Sequence, residues 1–287
     1  MLHEQSGQTQ PGPRELTAAF APVAVRRARR DQAYVPAMRM YLLEAKYEFL
    51  KLLRTPHYSV PILAFPVMFY LLFGVTFGAS RPGGAVKAGE YLLAGYAVFG
   101  MVTAALFAFG VGVAHERAQG WLLLKRTTPM PIGVYLTSKV LASMLFAAVI
   151  VLLLALSALT VGGVRIPVTS WLALLGVVLY GCVPFCLAGL FMALLVPPVG
   201  APGIVNLINL PLAFASGLWI PVSMLPRTFQ TIAPFLPQYH VAQLAVGSIG
   251  AIPAVDTAWH FAVLGLFALV FGIAAGVTWR RSDATEG

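Results

Sequence analysis

The residues of this chain that could do chemistry are few, and most of them sit in one segment. From Ala114 to Lys139 the sequence reads AHERAQGWLLLKRTTPMPIGVYLTSK, with Glu116, Arg117, Lys125 and Arg126 around the apolar run Trp121–Leu124. His115-Glu116 opens like the zinc-protease motif H-E-x-x-H, but the residue four after His115 is Gln119, so the second imidazole is missing. No G-x-x-x-x-G-K-[ST] occurs, which excludes a P-loop cradle for nucleotide phosphates, and no G-x-S-x-G marks a hydrolase nucleophile. The five histidines are scattered, with no pair at metal-ligand spacing. The isolated chain is therefore expected to perform no covalent catalysis and to hold no metal. Charges around a short apolar patch suit a surface that docks a soluble partner.

The elements that must position this segment are hydrophobic. Of 287 residues, 59% are hydrophobic and only 10% charged, with mean hydropathy +0.82. Soluble domains carry about 25% charged residues, so most of this chain belongs in lipid. The net charge of +9 comes from residues at helix ends and in loops, which points away from nucleic acid. Cys182 and Cys186 lie within a hydrophobic stretch, where packing is their expected role.

A spanning helix needs roughly 20 largely apolar residues. Six candidates meet that need, at about 59–79, 91–114, 138–161, 169–196, 204–222 and 259–279. None carries a charge in its interior, and Lys139 is expected at a span end with its ammonium in water. Glu90, at the start of the second span, is expected to be solvated. The fifth span is interrupted by Pro211, Gly217 and Pro221, so a broken or partly re-entrant segment is expected there. With both termini in the cytoplasm, fifteen Lys and Arg fall on the inner side and four on the outer, which satisfies the positive-inside rule.

Residues 1–35 read as a flexible basic cytoplasmic tail without an apolar leader, and 281–287 as a second cytoplasmic tail. Between 36 and 54, Met38, Tyr41, Leu42, Ala45, Phe49, Leu52 and Leu53 fall on about a third of a helix circumference. Arg39, Glu44, Lys46, Glu48, Lys51 and Arg54 lie outside that arc, as expected of an amphipathic helix in the cytoplasmic interface.

In this setting the segment after the second span resembles that of the permease subunits of ABC-2-type ABC transporters, in the drug and lipophile exporter branch that includes daunorubicin-resistance-like permeases. Glu116, Arg117, Gly120, Thr128, Pro129 and Lys139 match the family's E-R-x-x-G-[apolar]-x-T-P-…-K pattern. The stretch Ser216–Leu244 is similar to the family's segment after span five, with small-Gly-apolar-Pro followed by two Leu-Pro steps. The resemblance covers about residues 36–280. It implies an all-α integral membrane fold: six transmembrane helices preceded by an interfacial helix, a cytoplasmic coupling helix between spans two and three, and a broken or re-entrant segment after span five. It further implies a multi-pass protein of the plasma (inner) membrane that exports a hydrophobic or amphipathic substrate. Its partners would be the bilayer, an ABC ATPase subunit, and a second permease copy or a sister permease. No cofactor is expected on this chain, because ATP and Mg belong to the ATPase. The coupling residues are then Glu116, Arg117, Gly120, Trp121, Leu122, Leu123, Thr128 and Pro129. The short 80–90 loop departs from relatives that carry a large extracellular domain, and Pro197–Gly203 has no charge with which to hold an ATPase.

Asn206 and Asn209, three apart in the fifth span, share a helix face. Intramembrane amides can line a substrate path or hydrogen-bond a neighbouring helix, the commoner role. Gly74-x-x-x-Gly78 and Gly272-x-x-x-Gly276 permit close helix approach, and Tyr239 and His240 suit an interfacial anchor. Two other classes stay open: a secondary transporter, for which no midplane ionisable relay is visible, and a membrane scaffold that anchors signalling proteins.

Overall fold

The computed structural model describes residues 37–77, 88–121, 131–252 and 256–286. Among them the chain consists of helices and turns, with no strand. In chain order these are α1 (Ala37–Leu53), α2 (Pro56–Val75), α3 (Ala88–Ala118), α4 (Ile132–Thr160), α5 (Val168–Leu195), α6 (Ala201–Ala215), α7 (Arg227–Ile232), α8 (Pro237–Ser248) and α9 (Thr257–Glu286). The chain divides into Met1–Met40, of which only the opening turn of α1 is described, and Tyr41–Gly287, which holds every contact below.

Proline writes most of these boundaries. Pro56 and Pro237 occupy the first helical turn of α2 and α8, where a missing N–H costs nothing. Pro131 and Pro167 hold the residue before α4 and α5 extended, and the Pro197-Pro198 pair stops α5. Prolines inside helices remove ladder bonds. Pro61 and Pro66 precede a π-helical stretch, Tyr70–Val75, at the end of α2. A second π stretch, Phe107–Val111, interrupts α3.

Among the described residues, five helices are long and apolar enough to cross a membrane: α2, α3, α4, α5 and Thr257–Arg281 of α9. This is a multi-pass membrane protein. At 1.5 Å per residue the 15-residue α6 rises only about 22 Å, short of the ~30 Å hydrocarbon core.

α3 lies at the centre. Tyr91 to Val102 is buried without a break, because α2, α4, α5, α6 and α8 all pack on it. The enclosure extends to its first turn, so Glu90 is buried rather than solvated as expected. Tyr58 of α2 donates to the Ala104 carbonyl at 3.2 Å, and its ring meets Phe146 of α4 edge-on, with Phe49 of α1 on the same ring. At Gly95 the helix backbone comes so close to the chain after α6 that a Cβ would lie 1.8 Å from the Leu218 carbonyl oxygen.

Contacts along the helices give their directions. Val205 of α6 lies against Gly110 of α3, Asn209 bonds Thr103, and Leu218 meets Gly95, so α6 runs antiparallel to α3. After Gly217, whose carbonyl accepts from Tyr91, the chain folds back through α7 until Gln238 bonds Asn209. α8 then climbs again, with Val241 against Gly181 of α5. α9 runs parallel to α5, with Gly265 beside Tyr180 and Gly272 beside Leu187. Gly272 thus serves packing within the chain, while Gly78 lies outside the described residues.

Candidate functional site

Two features stand out where the sequence placed its candidates: a buried cluster of charges and an aromatic groove. The cluster joins three helices. Lys139 of α4 is only 1% exposed; it pairs with Glu48 of α1 and lies 3.1 Å from Glu116 at the end of α3. Lys51 of α1 pairs with the same Glu116 carboxylate and stands 3.5 Å from Glu48. The Tyr135 hydroxyl donates to the other Glu116 oxygen, and its ring lies 5.2 Å from the Lys139 ammonium.

Two carboxylates and two ammoniums cancel, which is what allows charges to be held out of water here. Burial alone would lower the pKa of Lys51, but attraction to Glu116 and then Glu48 outweighs it and raises the value above the usual 10.5. Lys51 is therefore charged throughout the neutral range.

This corrects two expectations. Lys139 does not reach water, because α4 begins at Ile132, which sets Lys139 about two turns inside the helix and beneath α1. Glu48, expected on the polar face of α1, points inward beside Ala45 and Leu52, while Leu42 and Leu53 of the apolar arc are exposed. The buried ammonium selects the face of α1 that carries a carboxylate.

The candidate coupling residues sit in different environments. Glu116 is turned into the protein. Arg117 reaches 2.8 Å to the Leu194 carbonyl at the end of α5, where a cation complements the helix dipole. Gly120 follows the last turn of α3 with φ +71°, a left-handed conformation that suits glycine after a helix. Trp121 is 53% exposed. Leu122, Leu123, Thr128 and Pro129 lie outside the described residues.

The groove, of about 430 Å³, runs between α2, α3 and α6. Tyr58, Phe65, Phe69, Phe99 and Phe107 give it aromatic walls, with His57, Thr103 and Asn206 as polar groups. Asn206 and Asn209 part company here. Asn206 is exposed to the groove, whereas Asn209 is fully buried, donating to Thr103 at 3.1 Å and accepting from Gln238 at 2.8 Å. Asn209 therefore stitches α3, α6 and α8 together.

Sequence reasoning missed Glu48, Lys51 and Tyr135 of the cluster, and Thr103 and Gln238 of the amide network. The usable signal was Lys139: a lone cation within a long apolar run requires a counter-charge. It missed a histidine pair as well. His240 and His260, distant in sequence, meet with their Nδ1 atoms 2.8 Å apart. Cys182 and Cys186 are fully buried packing residues.

Comparison with known proteins accords with this architecture. A family model described as ABC-2 type transporter matches residues 41–249, from within α1 to the end of α8. The chain is similar to the protein named "Putative transport permease YvfS" of Bacillus subtilis (strain 168), with 25% identity over 193 residues, 67% of this chain and 78% of that one. A central buried helix, flanking spans and a match over most of the chain lead to one assignment: this protein belongs to the ABC-2 type transporter family.

Proposed function

We propose that this chain is the membrane-spanning subunit of an ATP-driven exporter of hydrophobic or amphipathic molecules, working with a separate ATPase. Both termini lie in the cytoplasm, in keeping with the distribution of Lys and Arg. α1 then rests in the inner interface, α6 with the fold-back through α7 and α8 forms the sixth, re-entrant element, and the 114–139 segment faces the cytoplasm as the coupling helix.

The observation that carries this reading is the charge cluster. Glu116, at the base of the proposed coupling segment, is tied to α1 through Lys51 and to α4 through Lys139 and Tyr135. Arg117, the next residue, holds the end of α5. A push on the segment would therefore reach four helices at once. Packed helices respond to such a push as rigid bodies with discrete arrangements rather than by smooth deformation. Glu116 and Arg117 would thus act as positioning residues, leaving direct ATPase contact to Trp121 and the apolar residues Leu122 and Leu123. ATP and Mg would be held by the partner.

The groove between α2, α3 and α6 supplies a path of suitable chemistry. Its aromatic walls favour apolar bodies, and Asn206 and His57 offer hydrogen bonds. A second permease copy or a sister subunit would close its open side.

The test is purification of the membrane complex in mild detergent, with ATPase activity assayed on what co-elutes. A stoichiometric ATPase is expected with the unaltered chain and its loss with Trp121→Glu, an exposed site whose change leaves the fold intact. A permease that purifies alone in several detergents would refute the proposal.

A further inference from the structure

The two imidazoles joined across α8 and α9 have no part in the coupling scheme above. His240 is 1% exposed and His260 8%. Their Nδ1 atoms lie 2.8 Å apart, and His240 Nε2 lies 2.9 Å from the Pro234 carbonyl oxygen. A carbonyl only accepts, so His240 must carry its proton on Nε2 and present a bare Nδ1. The proton between the rings then belongs to His260 Nδ1. Both rings are neutral in this arrangement, and each proton has one acceptor.

The surroundings supply little to hold charge. Tyr239 sets its ring against both imidazoles, with centroids 5.3 and 6.0 Å away. α5 contributes the phenol of Tyr180, bonded to the Phe261 carbonyl next to His260, and α3 contributes Tyr91, bonded to the Gly217 carbonyl. Asp256, in the turn before α9, is the carboxylate nearest in sequence to His260 and accepts from the Trp259 amide at 3.1 Å.

We propose that His240 and His260 form a proton-released latch between the climbing helix α8 and the start of α9. One added proton can be accommodated on His260 Nε2 with the shared bond intact. A second must go to His240 Nδ1, which places two N–H groups head to head across 2.8 Å and adds like charge in a buried site. The pair then parts, and α8 loses its side-chain tie to α9. The two sites titrate as a coupled unit in two steps, and release belongs to the second. In the orientation of the proposed function this latch lies toward the outer face, but its operation does not depend on that orientation.

The experiment is amide hydrogen exchange on the full chain in nanodiscs at pH 7.5 and 5.0, corrected for the intrinsic pH dependence, with no ATPase or substrate present. In the wild type, protection of residues 241–248 should fall about tenfold at the lower pH, the effect of displacing one proton affinity by one unit. His260→Asn, which keeps an amide donor toward His240 but takes no proton, should hold protection constant between the two conditions. Wild-type protection that does not change, or a His260→Asn chain that keeps the acid-induced loss, would overturn the latch. If the variant does not fold, 15N histidine spectra of the wild type decide: the His240 Nδ1 resonance must change from unprotonated to protonated in the interval where exchange rises, and protonation of that nitrogen in a separate interval overturns the latch.

Discussion

Replacing Lys139 by methionine keeps the length of the side chain and removes only the ammonium. The loss leaves Glu48 and Glu116 sharing one cation, Lys51, whose side chain is 54% exposed. Glu116 keeps Lys51 and the Tyr135 hydroxyl, but Glu48 keeps only the 3.5 Å contact to Lys51. Deleting one member of a buried pair costs about 3–5 kcal/mol, because the remaining charge is stranded out of water. Glu48 should carry most of that penalty, so Glu48→Gln in the same chain should restore about 2 kcal/mol, a non-additivity within the range seen for directly contacting groups. Unfolding in mixed detergent micelles, for the wild type, both single variants and the double variant, measures the full cycle. A Lys139→Met chain within about 1 kcal/mol of wild type, or a double variant whose cost is the sum of the two singles, would show that the cluster does not hold α1 to the bundle.

Four further outcomes follow from the same geometry. Gly95→Ala forces a Cβ against backbone at Leu218, which cannot rotate away, so a loss of at least the 1–3 kcal/mol roughly typical of overpacking is expected in the same unfolding assay. Asn209→Leu should lose about 1–2 kcal/mol by stranding Gln238, whereas Asn206→Leu should leave stability within about 0.5 kcal/mol of wild type and alter transport. Leu122→Asp or Leu123→Asp should uncouple ATP hydrolysis from transport at normal expression, and normal transport by either chain would count against apolar docking. Because its folded-state pKa is raised, Lys51 stabilises fully below about pH 10.5 and loses that contribution as pH rises through the folded value. The stability gap between wild type and Lys51→Met should therefore be flat from about pH 6 to 9.5 and narrow only in stronger alkali.

How much of this was legible beforehand differs from element to element. Hydropathy located the long helices, and the prolines at 56, 131 and 167 set starts that sequence reasoning placed one to six residues late, because polar first turns lower a window average without ending a helix. Lys139 shows the consequence: a shift of six residues in the start of α4 moved it from interface to interior. The helix α1 was legible in its periodicity, but which edge faces the bundle depended on a partner charge 91 positions away. Asn206 and Asn209 share a helix face by spacing, yet only the approach of Thr103 and Gln238 makes one structural and leaves the other open to the groove.

The amino-acid sequence alone determined the solvent of this protein, because hydrophobicity over 20-residue windows and the placement of Lys and Arg are local quantities. It determined the order of motifs that pointed to the family as well, and the absence of a P-loop. Only the tertiary structure decided which polar groups meet. The buried charge cluster, the amide network, the histidine pair and the enclosure of Glu90 each join residues far apart in the chain. Their energies arise from removing water between specific atoms, and that occurs only once the helices have packed.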